Sequence, residues 1–158
     1  MVQGQELSRT TYDRLRAELE ELTGEGRIDI AHKIEAARAL GDLSENGDYH
    51  AAKEQQGKME ARIRQIKGTI VDAVVVDPAE ADTTAVAVGT VVELRFEGDE
   101  TTERFLVGSI EERHDDLEVL SPGSPLGRAV MGAAVGDRRT YEVNGNQLDI
   151  EIISIEQR

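Results

Sequence analysis

Three carboxylates, Asp42, Glu45 and Asp48, stand at every third position of ALGDLSENGDYHAAKEQQ, residues 39–56, where two glycines and an asparagine interrupt sequence that reads as helix on both sides. Carboxylates at such spacing can share a hard cation. Mg2+ typically takes one or two of them and completes its shell with waters and substrate phosphates, so the site is unfinished until it enters a cavity that supplies the rest. The same residues also suit helix punctuation: Gly41 as the residue past one helix end, and Ser44, Asn46 or Asp48 as the cap of the next, with acids favoured at the positive end of a helix dipole. On the residues alone capping ranks ahead of catalysis. It accounts for one or two of the acids and leaves Asp42 and Glu45 at the extreme end of a rod.

Other residue types offer less chemistry. His32, His50 and His114 are scattered without ligand spacing and read as surface or satisfied histidines. The absence of Cys removes disulfides, thiolate metal sites and cysteine nucleophiles. Ser124 has no base near it in sequence and reads as a helix cap, followed by Pro125 at the first helical position. Gly123 and Gly127 do not form the pattern of a phosphate loop.

The elements that must carry the acidic segment are legible from periodicity. Tyr49, Ala52, Gln56, Met59, Ile63, Ile66 and Ile70 step by 3 and 4 in alternation, the heptad seam of a coiled coil with one polar member. Upstream, Tyr12, Leu15, Leu19 and Leu22 form one stripe, starting near the capping candidate Ser8, and Ile30, Ile34 and Ala37 form another. These two stripes are out of phase. Gly24 and Gly26 lie between them and permit a turn or kink. The expectation is a helical arm broken near Gly24–Gly26, a return at 41–47, and a straighter second arm to about Val71, reaching roughly 35 to 45 Å at 1.5 Å per residue.

Beyond Asp77-Pro78 the period changes. AVGTVVELRF, ERFLVGSI, DLEVL, RRTYEV and QLDIEIISIE are short, β-branched and partly alternating, with Gly98-Asp99 and Asn144-Gly145 as turns. They predict a small antiparallel sheet, interrupted by a short helix at SPGSPLGRAVMG. The fold class is therefore α+β: residues 1–77 an antiparallel coiled-coil hairpin with its acidic tip at 41–48, and residues 78–158 a compact α+β domain, joined by DPAEADTTA.

Composition narrows the functions. At 158 residues and 39% hydrophobic content the chain suits one or two small domains. No apolar run reaches membrane-spanning length and the amino end lacks a signal-peptide pattern, which predicts a soluble cytoplasmic protein with no membrane partner. The net charge of −14 argues against clamping duplex nucleic acid over the whole surface. Charge is divided unevenly: residues 49–70 carry five bases against two acids, whereas 71–158 carry seven arginines against nineteen acids. The basic strip of Lys53, Lys58, Arg62, Arg64 and Lys67 reads first as a solvated helix face and second as a surface for a phosphate-bearing partner.

GDLSENGDYHAAKEQQ resembles the tip of the bacterial Gre family of transcript-cleavage factors, whose usual pattern is G-D-L-x-E-N-A-E-Y-H-A-A-R-E-x-Q, and SPGSPLGRAVMG is similar to that family's S-P-(L/I)-(G/A)-R-A-L-(I/L)-G. The similarity extends across the chain. Departures fall at Gly47, Asp48 and Lys53, where Ala, Glu and Arg are usual, while Asp42 and Glu45 are kept. The resemblance implies an FKBP-like carboxyl domain that docks at the mouth of the secondary channel of RNA polymerase, with Ser124 and Pro125 on the docking surface. It implies a hairpin threaded to the active centre, where Asp42 and Glu45 help hold a Mg2+ shared with the polymerase and orient the attacking water. Arg38 and Lys53 would face the 3′ end of nascent RNA. The protein would be a monomeric accessory factor, not an enzyme, rescuing backtracked complexes through the polymerase's own site. Three other readings stand beside it: a non-cleaving homologue that occupies the channel and inhibits, a prolyl isomerase, and a coiled-coil chaperone. The retained acids favour cleavage over a plug. Residues 79–158 offer only Phe96, Phe105 and Tyr141 for an aromatic pocket, and a chaperone would want an apolar tip.

Overall fold

The computed structural model describes residues 4–42 and 45–158, so Leu43 and Ser44, the latter one of the cap candidates, lie outside the described residues. The chain forms two compact units. One holds Gly4 and Tyr12–Ala73; the other holds Gln5–Thr11 and Val74–Arg158.

The first unit is helical. Helix α1 (Arg9–Glu21) runs into a π-helical turn (Leu22–Gly26) and on into α2 (Arg27–Arg38); α3 (Gly47–Val71) returns. The π turn resolves the phase mismatch of the two upstream stripes. From Leu22 to Ile30 is eight residues, one more than a heptad, which would carry Ile30 about 80° past the seam in a regular α-helix. The wider turn takes up the extra residue. Ile30, Ile34 and Ala37 are buried, so no sharp break is needed at the glycines. A Cβ on Gly26 would lie 3.3 Å from the Met59 sulfur, so glycine lets this turn sit close to α3.

On α3 the seam is as the spacing predicts: Ala52, Ile63 and Ile66 are buried, and Tyr49, Gln56, Met59 and Ile70 are half-buried. Ile30, Ile34 and Ala52 form a cluster with Tyr49 and Met59 against it. Two bidentate ion pairs join the arms: Arg27 with Glu60, both bonds 3.0 Å, and Arg62 with Glu18 at 2.8 and 2.9 Å. Arg62 is half-buried and also donates to Gln65. It is therefore not part of a merely solvated face.

The second unit is built on a five-stranded sheet. In chain order the strands are β3 (Thr90–Phe96), β4 (Thr102–Val107), β5 (Glu118–Leu120), β6 (Arg138–Val143) and β7 (Asn146–Gln157); in space they run β5-β4-β3-β7-β6. Pairings β3–β4, β3–β7 and β6–β7 are antiparallel, but β4–β5 is parallel, so the sheet is mixed where an antiparallel one was expected. Asn144 and Gly145, at φ 52° and 81°, make the two-residue turn between β6 and β7, the backbone that Asn-Gly favours. On β7 the register shifts opposite Glu93/Leu94, where Glu93 faces Ser154 and Leu94 faces Ile152. Ile153 is the extra residue of this bulge, and it rephases the alternation so that Ile150, Ile152 and Ile155 are all buried.

Helix α4 (Pro125–Val130) lies against β6. Val130 joins the core with Val92, Leu94, Phe105, Val107 and Ile152. A further pair of short strands, β1 (Glu6–Ser8) and β2 (Val74–Val76), runs parallel. This is why Gln5–Thr11 groups with the carboxyl-terminal residues, which a boundary at residue 77 alone does not convey.

Candidate functional site: the acidic turn between the helical arms

Helix α2 ends with Ala39 as its cap residue, where the Leu40 and Gly41 amides donate to the Ala37 and Arg38 carbonyls at 3.1 and 3.3 Å. Gly41 has φ 129°, a region that side chains avoid, and its freedom turns the chain out of the helix. Leu40 beside it is 71% exposed.

Helix α3 starts under Asn46. Its Oδ1 accepts the Tyr49 amide at 3.0 Å, the geometry of a helix cap, while its Nδ2 donates to the Ala37 carbonyl at 2.5 Å on the other arm. One side chain thus caps the second helix and ties it to the end of the first. Asp48 sits in the first turn of α3, where an acid complements the helix dipole. Gly41 and Asn46 thus punctuate the two helix ends, and Asp42, Glu45 and Asp48 are all exposed.

Two hard oxygen donors at an exposed turn fit a cation shared with another molecule. Among the described residues no group of three or more histidines and carboxylates is placed to hold a metal, so a closed protein cage is not present there.

The two residues expected to face RNA are exposed near the tip. The Arg38 guanidinium carbon stands 5.8 Å from the centre of the Tyr49 ring, a cation–π distance, and the Lys53 ammonium donates to Gln56 at 2.9 Å. Between the arms lies an apolar groove lined in part by Ala36, Leu40, Ala51 and Ala52. Of the rest of the basic strip, Lys58 pairs with Glu54 at 3.3 Å.

Ser124 and Pro125 lie in the second unit. Ser124 caps α4, its Oγ accepting the Gly127 amide at 3.0 Å and donating to the Ser121 carbonyl at 2.7 Å, and Pro125 takes the first helical position. Gly127 was not singled out by sequence for its packing, yet a Cβ there would come within 1.8 Å of the Ser121 carbonyl oxygen. Only glycine admits that close backbone approach, which sets the shape of the SPGSPLG segment.

Glu112 had no signal in the sequence. It is 5% exposed and binds the start of α1: its Oε1 accepts the Ser8 amide at 2.8 Å, and its Oε2 accepts the Ser8 hydroxyl at 2.9 Å and the Thr11 hydroxyl. Arg158 lies 3.2 Å from the same oxygen. Burial, the largest single influence, opposes ionisation, but the Thr11 and Ser8 hydrogen bonds and the charge of Arg158 outweigh it and hold the carboxyl below the usual glutamate range.

Family comparisons cover nearly the whole chain. The model described as "Transcription elongation factor, N-terminal" matches residues 5–75, and that described as "Transcription elongation factor, GreA/GreB, C-term" matches residues 80–157. The chain is 47% identical over 152 residues to the protein named transcription elongation factor GreA of Streptomyces coelicolor, covering 95% of this chain and 92% of that one. It is 48% identical over the same coverage to its counterpart in Streptomyces avermitilis. Among solved structures, the GreA factor homolog 1 of Thermus thermophilus aligns with 98% of this chain and 99% of its own, at 23% identity and a TM-score of 0.45. With both family models matched in series and together spanning most of its length, the chain belongs to the GreA/GreB family of transcription elongation factors.

Proposed function

We propose that this protein is an accessory factor of bacterial RNA polymerase that stimulates cleavage of the 3′ end of backtracked RNA. The observation that supports this most directly is the division of labour at the turn: Asn46 caps α3, and Asp42 and Glu45 are presented to solvent on the same turn. Asp42 and Glu45 would hold a Mg2+ ion jointly with the polymerase, an ion whose chemistry is to activate water and stabilise charge on the scissile phosphate. The chain's own part is to bring two carboxylates to that centre on the turn between two helices and to orient the attacking water in line with the bond. Docking falls to the second unit, with Ser124 and Pro125 on its surface, and Arg38 and Lys53 face the extruded RNA. The factor acts as a monomer, and the catalytic site belongs to the polymerase.

The test is addition of the purified protein to a stalled, backtracked elongation complex carrying labelled RNA. Asp42→Asn and Glu45→Gln remove charge and preserve shape, so each should abolish stimulated cleavage with helix content and polymerase binding nearly unchanged. Full cleavage in both variants would sink the metal-holding role. A parent protein that binds and slows the polymerase without cleavage would instead identify a channel-occupying inhibitor.

A further inference from the structure

Helix α1 has no acid in its own first turn, and the negative charge at that helix end comes from Glu112, 104 residues away from Ser8. Ser8 serves two sides of the contact. Its Oγ accepts the Thr11 amide at 3.2 Å, the capping bond of α1, and donates to the Glu112 carboxylate. The Glu112 carboxylate thus takes two hydroxyls, the Ser8 amide and the Arg158 guanidinium, and Arg158 also donates to the Arg113 carbonyl at 2.6 Å. Buried ionic groups of this kind are a poor route to stability, because an apolar replacement of similar volume often folds as well; their better attested use is to specify one arrangement among several. Thr11 is also the last residue before the chain passes from the second unit into the hairpin.

We propose that Glu112 is a positioning residue for transcript cleavage: it fixes the first turn of α1, from which the hairpin chain departs, and the tip carboxylates act efficiently only when that start is fixed. This rests on the function proposed above. The physical reason is leverage on placement, since a displacement of about 1 Å at a reacting centre is enough to reduce a rate about a hundredfold. Docking is proposed above for the α4 segment, of which Glu112 is not a member.

The experiment uses the full chain. In Glu112→Gln the amide nitrogen replaces an oxygen that accepts two hydroxyls and faces Arg158; the hydroxyls can turn to donate elsewhere, but the guanidinium loses its counter-charge. Thr11→Val is the milder variant, isosteric and lacking one of the bonds. Amide hydrogen exchange should quicken about tenfold or more at Ser8 to Thr11 in Glu112→Gln and less in Thr11→Val, with α3 and the sheet unchanged, the scale expected for a lost charged hydrogen bond. Stimulated cleavage should fall about tenfold, while competition for core polymerase stays within about twofold of the parent. If exchange at residues 8–11 is unaltered in both variants, or cleavage and competition fall together, the inference is overturned. A parent protein that gives no stimulated cleavage overturns the underlying function and the inference with it, whereas an active parent with an unchanged Glu112→Gln rate overturns the inference alone.

Discussion

Asn46 decides what is left for its neighbours to do. By capping α3 and holding the Ala37 carbonyl, it closes the turn with a neutral side chain, so the bond that starts the second helix needs no charge from the tip acids. The bases behind the tip divide in the same manner. Lys53 is exposed and, among the described residues, bonds Gln56 of its own helix, and surface changes of that sort are usually worth within about 0.5 kcal/mol. Arg62 is half-buried and forked onto Glu18 across the hairpin, and loss of such a pair should cost about 1 kcal/mol, a fall of about 4 °C or more in the midpoint of a domain this size. Lys53→Ala should therefore melt like the parent while flattening the salt dependence of crosslinking to the RNA 3′ end by a slope of about 0.7. Arg62→Ala should melt lower and leave that slope alone. The opposite pattern in a parallel salt titration and melt would make Arg62 the RNA contact and Lys53 the structural one.

At the scale of elements, two single-residue insertions hold the pattern together. The π turn absorbs the eighth residue between Leu22 and Ile30, and the β7 bulge absorbs Ile153. Both keep apolar side chains on one face after the simple period has slipped. A prediction follows for the helix. Deleting Gly24, around whose Cβ position nothing lies within 4 Å, should convert the π turn to an α turn and leave the Leu22 and Ile30 sides of the seam in register. It also removes a glycine from a helix interior, where it costs roughly 1 kcal/mol relative to alanine. Circular dichroism should give unchanged helix content and an equal or higher midpoint. A marked drop in either would mean that the extra residue is not what the wider turn accommodates.

For the whole molecule, the chain cannot be cut cleanly at residue 78. A fragment 79–158 lacks β1, β2, Ser8 and Thr11, so Glu112 loses the hydrogen bonds that favour its ionised form and keeps the Arg158 contact. In the intact protein the depressed Glu112 pKa contributes stability at pH values above the ordinary glutamate range, and that contribution is lost as pH falls through the depressed value. The fragment should therefore unfold at lower denaturant than the same unit in the full chain at neutral pH, with the gap narrowing on acidification. Its Glu112 should titrate higher by NMR. A fragment as stable as the intact unit at neutral pH would remove Glu112 and the β1–β2 pair from the account of that unit's stability.

Whatever repeats or caps over a few residues is legible in the chain alone: the seam of α3, the two upstream stripes and their mismatch, five strands of the sheet, the Asn-Gly turn, the helix starts at Ser8 and Ser124, and an acidic turn between helices. These are legible because helix and strand periods, dihedral limits and capping bonds act over at most a turn or two of chain. The tertiary structure alone decided the parallel pairs β1–β2 and β4–β5, the close approach of Gly127 to Ser121, the Arg62–Glu18 fork and the burial of Glu112 against Ser8 and Thr11. Val74-Val75-Val76 carries no alternation to mark its partner, and Glu112 sits in the polar run EERHDD, where nothing local separates a buried acid from a solvated one. Gly127 and Ser121 excepted, these contacts join residues 13 to 104 positions apart, and their energies exist only once the chain has brought the partners together and excluded water around them.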